Sequence, residues 1–153
     1  MAKKSRRQGG NPVAIIEKDH IELHASVTSK EEAIRKSGQL LVDSGCVEPA
    51  YVDGMLAREE TMSTYLGNGV AIPHGEYDNR EDIHRTGISV LQLPDGVEWG
   101  PDETAYLIIG IAASSDEHVG VLSKLAEVVE DEDYTQRLIN TTDPSLILEA
   151  LGG

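Results

Sequence analysis

The sequence contains a single cysteine, Cys46, which excludes an internal disulfide bond. A lone thiol is typical of reducing compartments, so we expect a cytoplasmic protein. Long apolar runs are also absent, because the longest, residues 105–113, is about half of the roughly 18 residues that a membrane-spanning helix needs. The basic residues near the start precede an apolar stretch that is too short for a secretory signal. We therefore expect no stable membrane insertion.

Positive charge is scarce beyond the first seven positions. The 153 residues include 13 lysines and arginines against 27 acidic residues, and the formal net charge is −14. Nucleic-acid backbones select basic surfaces, so this balance argues against a nucleic-acid partner. An acidic surface instead favours solubility or docking to a partner with a basic face.

Common phosphate- and metal-binding motifs are missing as well. No glycine-rich loop is followed by Lys-Ser or Lys-Thr, and the segment 67–69 (Gly-Asn-Gly) lacks the third glycine of a dinucleotide fingerprint, because Ile72 stands in its place. His20 and His24 could share a metal ion on a helix, but on the strand that their alternating pattern predicts they lie roughly 13 Å apart. We therefore expect no cofactor and no metal site.

The order of predicted elements indicates one α/β domain over residues 13–153, after a flexible basic arm at residues 1–12. Strands are expected at 20–24, 70–72, 86–93 and 105–113, and helices at about 29–45, 49–60, 114–130, 134–140 and 144–151. In the helix at 114–130, Val119, Leu125, Ala126 and Val129 belong to an apolar stripe that should face the core. The alternation of strands and helices predicts a sheet with α-helices on both faces. A tight turn predicted at 94–96 (Pro-Asp-Gly) implies some antiparallel pairing, hence a mixed β-sheet.

The strongest candidate for chemistry lies in residues 66–75 (Leu-Gly-Asn-Gly-Val-Ala-Ile-Pro-His-Gly). A short apolar run ends at Pro73, whose fixed φ and missing N–H favour an extended residue before it. His74 follows, and Gly75 allows the backbone to turn away without a Cβ in its path. The pattern therefore places one imidazole just past the end of a strand. The neutral form of that ring is a nucleophile near physiological pH.

Two other side chains could take part in phosphate chemistry. Arg58 lies in the last turn of a predicted helix, and a guanidinium can donate two parallel bonds to phosphate oxygens. An arginine at that position also interacts favourably with the helix dipole. His118 lies in the first turn of another predicted helix, where backbone N–H groups attract anions. A histidine near a helix start is often an ordinary polar residue, so the residues alone leave both alternatives open.

Three spaced motifs resemble one known family. Residues 55–60 (Met-Leu-Ala-Arg-Glu-Glu), 64–67 (Thr-Tyr-Leu-Gly) and 70–75 (Val-Ala-Ile-Pro-His-Gly) resemble the enzyme IIA domain of the mannitol/fructose class. That class belongs to the bacterial phosphoenolpyruvate-dependent sugar phosphotransferase system. The resemblance extends over about residues 21–152, and segments typical of the mannitol branch stand at 29–34, 47–52, 94–97, 109–113 and 117–118.

The resemblance implies a type-2 enzyme IIA domain that acts as a phosphocarrier in sugar uptake, with mannitol as the best match. His74 would accept a phosphoryl group from the histidine-containing phosphocarrier protein and pass it to a cysteine of a IIB component. Arg58 would hold phosphate oxygens, and His118 would donate a hydrogen bond to the phosphoryl group. The partners would be separate chains, and transient contact with a membrane permease complex is compatible with this role. The alternative is a regulatory protein of the same fold, whose phosphorylation controls binding to other proteins.

Overall fold

The computed structural model describes residues 15–113 and 115–152, and it describes Tyr77 and residues 115–118 by their backbone alone. The arm expected at residues 1–12 lies outside the described residues. Within them, five strands form one sheet: β1 (Ile21–Glu22), β2 (Tyr65–Gly67), β3 (Val70–Ala71), β4 (Gly87–Gly100) and β5 (Glu103–Ala112). The α-helices of the same part are α1 (Lys30–Asp43), α2 (Ala50–Thr61), α3 (Ser115–Glu130), α4 (Glu132–Asn140) and α5 (Pro144–Gly152).

The sheet is mixed, as predicted, and its strand order is β1-β4-β5-β3-β2. The long strands β4 and β5 pair antiparallel in the centre. On either side of this hairpin the pairing is parallel, β1 with β4 and β3 with β5, and β2 closes one edge antiparallel to β3. The carboxyl ends of β3 and β5 therefore meet at the same edge of the sheet.

Two hydrophobic cores lie on opposite faces of the sheet. Along β5, Ile108 and Ala112 pack with residues of α1 and α2, whereas Leu107, Ile109 and Ile111 pack with residues of α3, α4 and α5. Side chains alternate between faces along a strand, so burial of both sets means that helices cover both faces. The predicted α/β class with helices on both sides is thereby confirmed.

The central hairpin corrects one sequence prediction. Residues 94–96 do not form a tight turn between two strands, because β4 continues through them. The register with β5 shifts between Gln92 and Val97, which makes the segment a β-bulge, and the chain reverses only at residues 101–102. Proline without an N–H and glycine at positive φ suit a bulge as well as a turn, so the composition alone does not separate the two.

The strand predicted at residues 20–24 is shorter than expected. Only β1 pairs with a neighbour, while His20 ends a short 3-10 helix (Lys18–His20) and His24 has a φ of 56°. His20 is fully buried with Nδ1 3.0 Å from the Ile88 carbonyl oxygen, and His24 is exposed. The alternation of polar and apolar residues at 20–24 therefore does not reflect one continuous strand, because His20 ends a 3-10 helix and His24 lies in a loop.

The apolar stripe of α3 is narrower than its spacing predicts. Of the helix residues with described side chains, only Leu125 and Val129 are buried. Ala126 is exposed, and Val119 is 66% exposed. Val119 thus lies outside the core, while Val121 and Leu122 are partly buried and pack against it.

The bulge in β4 yields a test of stability. Gly96 has a φ of 73°, and a Cβ there would lie 2.6 Å from Cγ2 of Thr104, whereas Gly45, which follows α1, has a φ of 80° and open space around it. We expect Gly45→Ala to lower the free energy of unfolding by about 1–2 kcal/mol, the cost of a left-handed residue with a side chain. Gly96→Ala should cost about 1–3 kcal/mol more, because overpacking adds to backbone strain. Urea unfolding measures both, and equal losses would contradict the expected contact.

Candidate functional site

The segment that carries His74 extends the sheet beyond β3. The Ile111 N–H donates to the Pro73 carbonyl at 3.0 Å, and His74 itself pairs with Ile111 as an isolated parallel bridge. His74 therefore lies at the carboxyl edge shared by β3 and β5, just past a strand end as its sequence context predicts. In α/β sheets this edge is where ligands usually bind.

The imidazole of His74 is oriented by its own backbone. Nδ1 lies 2.8 Å from the carbonyl oxygen of Ile72, and His74 as a whole is half-buried. A carbonyl oxygen only accepts hydrogen bonds, so Nδ1 must carry the proton. In the neutral ring, Nε2 then carries the lone pair. Nε2 is thus the ring nitrogen whose lone pair could attack an electrophile.

Tyr51 of α2 connects the two strand ends at the site. Its hydroxyl donates to the Ile111 carbonyl at 2.8 Å and accepts from the Gly75 N–H at 2.9 Å. Only 2% of Tyr51 is exposed, and burial raises the pKa of its hydroxyl to about 12, so the group stays a donor at neutral pH. No local pattern marks Tyr51 as a functional residue, because a tyrosine at the start of a helix is a common core residue.

Gly75 is required by contact with Tyr51. A Cβ at this position would lie 2.6 Å from Cε1 of the Tyr51 ring, which is far inside van der Waals distance. Its φ is not in the left-handed region, so the missing Cβ and not an unusual backbone angle explains the glycine. The close approach lets the tyrosine hydroxyl reach the backbone next to His74.

Arg58 and His74 line the same cleft, which has a volume of about 540 Å³. Nη1 of Arg58 donates to the Met62 carbonyl at 2.8 Å, so the guanidinium also caps the carboxyl end of α2. Both alternatives left open for this residue are therefore compatible with the structure. Arg80, from a 3-10 helix (Tyr77–Asp82), lines the cleft too, although its place in a polar connection gave no sequence signal.

His118 lies in the first turn of α3, and its side chain is outside the described part of the structure. Its backbone position is still informative, because α3 begins three residues after β5 ends and Ala113, in the connection, lines the cleft. The start of α3 therefore approaches the edge at which His74 lies. Contact between His118 and a group on His74 stays a prediction.

Among the residues that the structure describes, no group of three or more His, Cys, Asp or Glu side chains is arranged to hold a metal ion. Cys46 is fully buried, and its Sγ lies 3.5 Å from the hydroxyl of Ser44. Within the same described ranges, no helix has the length and apolar character required to cross a bilayer.

A family model described as "Phosphoenolpyruvate-dependent sugar phosphotransferase system, EIIA 2" matches residues 14–152. The chain therefore belongs to this family of phosphotransferase components, which confirms the resemblance found in its motifs. The mannitol-specific phosphotransferase enzyme IIA component of Geobacillus stearothermophilus is 44% identical over 137 residues, covering 90% of this chain and 94% of that protein.

Longer proteins match as well. The multiphosphoryl transfer protein of Xanthomonas campestris is 44% identical over 141 residues, which is 92% of this chain but 17% of that protein. This chain spans about a sixth to a third of the length of the multiphosphoryl transfer proteins that it matches.

Solved structures share the fold. The crystal structure of IIA mannitol from Escherichia coli has a TM-score of 0.83 and 41% identity, covering 89% of this chain and 98% of that one. The E. coli enzyme IIAMTL in complex with phosphorylated enzyme IIBMTL has a TM-score of 0.84 and 40% identity, covering 89% and 96%. The nitrogen regulatory protein IIA-Ntr of Neisseria meningitidis has a TM-score of 0.77 and 28% identity, covering 90% and 96%.

The hydroxyl of Tyr51 provides a test of how the site is held. Tyr51→Phe leaves the Gly75 N–H and the Ile111 carbonyl without their partner in a buried setting, which should lower the free energy of unfolding by about 1–3 kcal/mol. Amide hydrogen exchange at Gly75 should accelerate at the same time.

Tyr65→Phe is the matched control for that substitution. The Tyr65 hydroxyl makes the same kind of bridge, from the Gly69 N–H to the Thr104 carbonyl, but in a more exposed place where water can replace it. We expect a smaller loss of stability there and no change at Gly75. Unaltered exchange at Gly75 in Tyr51→Phe would contradict the assignment.

Proposed function

We propose that this chain is a phosphocarrier that takes a phosphoryl group onto Nε2 of His74 and passes it on during sugar uptake and phosphorylation. The observation that carries the proposal is the hydrogen bond between Nδ1 of His74 and the Ile72 carbonyl, in a cleft that Arg58 also lines. This bond supports Nε2 as the ring nitrogen that carries the lone pair. Membership of the EIIA 2 family supports the same chemistry.

The proposed reaction has two transfers. First, the Nε2 lone pair forms a bond to phosphorus while the phosphorus–nitrogen bond of a donor phosphohistidine breaks, and the donor nitrogen keeps that electron pair. Second, a cysteine thiolate of the acceptor attacks phosphorus, and Nε2 of His74 leaves with its pair. Phosphoryl transfer depends on in-line positioning and on stabilising charge on the equatorial oxygens.

Arg58 is the group that we propose holds those oxygens. A guanidinium stays charged and offers parallel donors at phosphate spacing. Arg80 lines the same cleft and adds positive charge on a chain whose net charge is −14. Local cations are needed here, because the acidic surface as a whole repels a phosphoryl dianion over the Debye length of about 8 Å.

His118 is the second histidine that we propose for the site. The start of α3 follows the strand that pairs with His74, and N–H groups at a helix start attract phosphate oxygens. From the first turn of that helix the imidazole would donate a hydrogen bond to the phosphoryl group. This contact would act after phosphorylation, when charge on His74 has to be balanced.

The partners that we propose are the histidine-containing phosphocarrier protein as donor and a IIB component as acceptor. The complex of E. coli IIAMTL with phosphorylated IIBMTL supports the second partner. The similarity to mannitol-specific IIA components favours mannitol as the sugar. We propose that such a carrier works in the cytoplasm. Residues 13–153 would form the carrier domain, and residues 1–12 a flexible arm that precedes it.

A regulatory function is the second candidate. The IIA-Ntr protein of N. meningitidis shares the fold at 28% identity, so the fold is compatible with proteins named for nitrogen regulation. The higher identity to mannitol-specific components, 44% over 137 residues, favours transport. The two candidates differ in whether phosphorylated His74 discharges to the cysteine of a mannitol IIB protein.

Labelling tests the carrier and separates the two candidates. With phosphoenolpyruvate, enzyme I and the phosphocarrier protein, we expect an acid-labile, alkali-stable phosphate on the wild-type chain. Addition of a mannitol IIB protein should then remove that label. His74→Ala should take up no label, while His84→Ala, an exposed histidine paired with Glu48, should label normally. Labelling of His74→Ala would reject the site, and a label stable to all IIB proteins would favour regulation.

Substitution of Arg58 tests the phosphate contact. Arg58→Lys keeps the charge but loses the paired donors, and we expect transfer from the phosphocarrier protein to slow by roughly 10²-fold, as for other losses of a transition-state donor. Arg35→Lys is the control, because Arg35 is an exposed helix residue paired with Glu31. Rapid-quench measurement of the phosphorylation rate gives both values. An unchanged rate in Arg58→Lys would remove Arg58 from the mechanism.

A further inference from the structure

A buried carboxylate lies next to the proposed phosphate-binding arginine. The side chain of Glu59 is 4% exposed, and four protein groups contact its two oxygens. Oε2 accepts from the Thr64 N–H at 2.8 Å and from Nε1 of Trp99 at 3.0 Å, and Oε1 accepts from the Thr64 hydroxyl. Nζ of Lys30 completes the set at 3.2 Å from Oε2.

These contacts keep Glu59 ionised. Burial alone would raise the pKa of the carboxyl, but the hydrogen bonds from Thr64 and the neighbouring Lys30 ammonium outweigh it and lower the pKa below its ordinary value. The ammonium also stands 5.2 Å from the centre of the Trp99 ring, so the tryptophan contacts both charges. The result is a negative charge fixed in place by donors from a helix, a strand and the connection that contains Thr64.

A row of three hydrogen bonds leads from this carboxylate to the ring of His74. Glu59 binds the Thr64 N–H, and the Thr64 carbonyl accepts from the Ile72 N–H at 3.0 Å. The Ile72 carbonyl in turn accepts from Nδ1 of His74 at 2.8 Å. Thr64 and Ile72 each take part through both their N–H and their carbonyl group. A shift of Thr64 would therefore move Ile72, whose carbonyl orients the imidazole.

The same carboxylate holds the segment that contacts Arg58. Nη1 of Arg58 donates to the Met62 carbonyl, and Met62 lies between α2 and the Thr64 contact. Glu59, which belongs to α2, therefore links that helix to Thr64 at the far end of the short connection to β2. The Arg58 guanidinium contacts the start of that connection. The end of the connection leads into β2, which pairs with β3, the strand that precedes His74.

Stability alone is a weak explanation for such an arrangement. Buried ion pairs are often no better for stability than apolar residues of similar volume, because desolvating the two charges offsets their attraction. Hydrogen bonds to a carboxylate do fix the positions of the donor groups, since each donor must lie near a lone pair of an oxygen. A site that works by positioning gains from that property.

We propose that Glu59 is a positioning residue that holds Arg58 and the imidazole of His74 in one productive arrangement through Thr64 and Ile72. This role rests on the proposed phosphocarrier function. Glu59 touches no reacting atom in it. Its loss should change the orientation and tautomer of the His74 ring even in the unphosphorylated protein.

Glu59→Gln tests this role with the smallest change of shape. The amide keeps one acceptor but turns a donor toward groups that are themselves donors, Thr64, Trp99 and Lys30. In the ¹⁵N spectrum of the folded variant, we expect the shifts of Nδ1 and Nε2 of His74 to move toward each other, because the Nδ1–H tautomer is no longer fixed. The transfer rate should fall by about 10- to 100-fold, while the half-saturating concentration of phosphorylated donor stays within about 2-fold.

Glu60→Gln is the matched control, because Glu60 is the next residue of the same helix and is exposed. It should leave both the ring spectrum and the rate unchanged. Trp99→Phe is a second variant that keeps an aromatic side chain but removes one donor to Glu59, so it remains informative if Glu59→Gln does not fold. It should shift the ring signals in the same direction and slow transfer by about 3- to 10-fold, the effect of one hydrogen bond.

Wild-type ring signals and a wild-type rate in either folded variant would overturn the positioning role, even if that variant were less stable. Failure of the proposed function would look different. The wild-type chain would then take no phosphoryl group from the donor, while the ring spectra of the unphosphorylated variants would still decide whether Glu59 orients His74.

Discussion

The hydrogen bond from the Ile111 N–H to the Pro73 carbonyl holds the candidate site together. It continues the parallel pairing of β3 and β5 past the last residue of β3, so that His74 is placed by a sheet and not by a loose connection. The Tyr51 hydroxyl then closes the gap between the two strand ends, because it binds the Ile111 carbonyl and the Gly75 N–H together. With the backbone fixed on both sides of the ring, one short bond from Nδ1 to the Ile72 carbonyl suffices to choose the tautomer.

Helix α2 contributes Tyr51 and Arg58 to the candidate site, and its buried face sets their positions. Tyr51, Met55 and Glu59 are spaced four residues apart, which puts them on one side of a helix, and all three are buried. Arg58 lies beside that face, near enough to its edge to line the cleft. The same packing that buries α2 therefore sets the position of a charged group relative to the imidazole. A helix held by both a core methionine and a buried carboxylate has little freedom to change that relation.

The charge distribution is consistent with a site for an anion on an acidic protein. The formal net charge is −14, yet two arginines line the cleft that contains His74. Because salt screens charges beyond about 8 Å, the groups that line the cleft dominate its field, and there the guanidinium groups of Arg58 and Arg80 outnumber the carboxylate of Glu76. In the proposed transfers, acceptance and release of the phosphoryl group depend mainly on how well the protein holds the attacking and leaving atoms in line.

The sequence by itself determined the fold class and most helix bounds, and it singled out His74 as the candidate for chemistry, because these inferences depend on local patterns. Apolar periodicity, caps such as Ser29, and proline before histidine act within a few residues of one another. The tight turn predicted at residues 94–96 was wrong, because proline and glycine there form a bulge in β4. Turns and bulges favour the same residue types, so the local pattern does not separate them. Only the tertiary structure decided that Tyr51 and Arg80 line the same cleft as His74, and that Glu59 connects to the His74 ring through Thr64 and Ile72. Their roles come from contacts between segments far apart in the chain, such as Glu59 with Trp99, which no short-range pattern encodes.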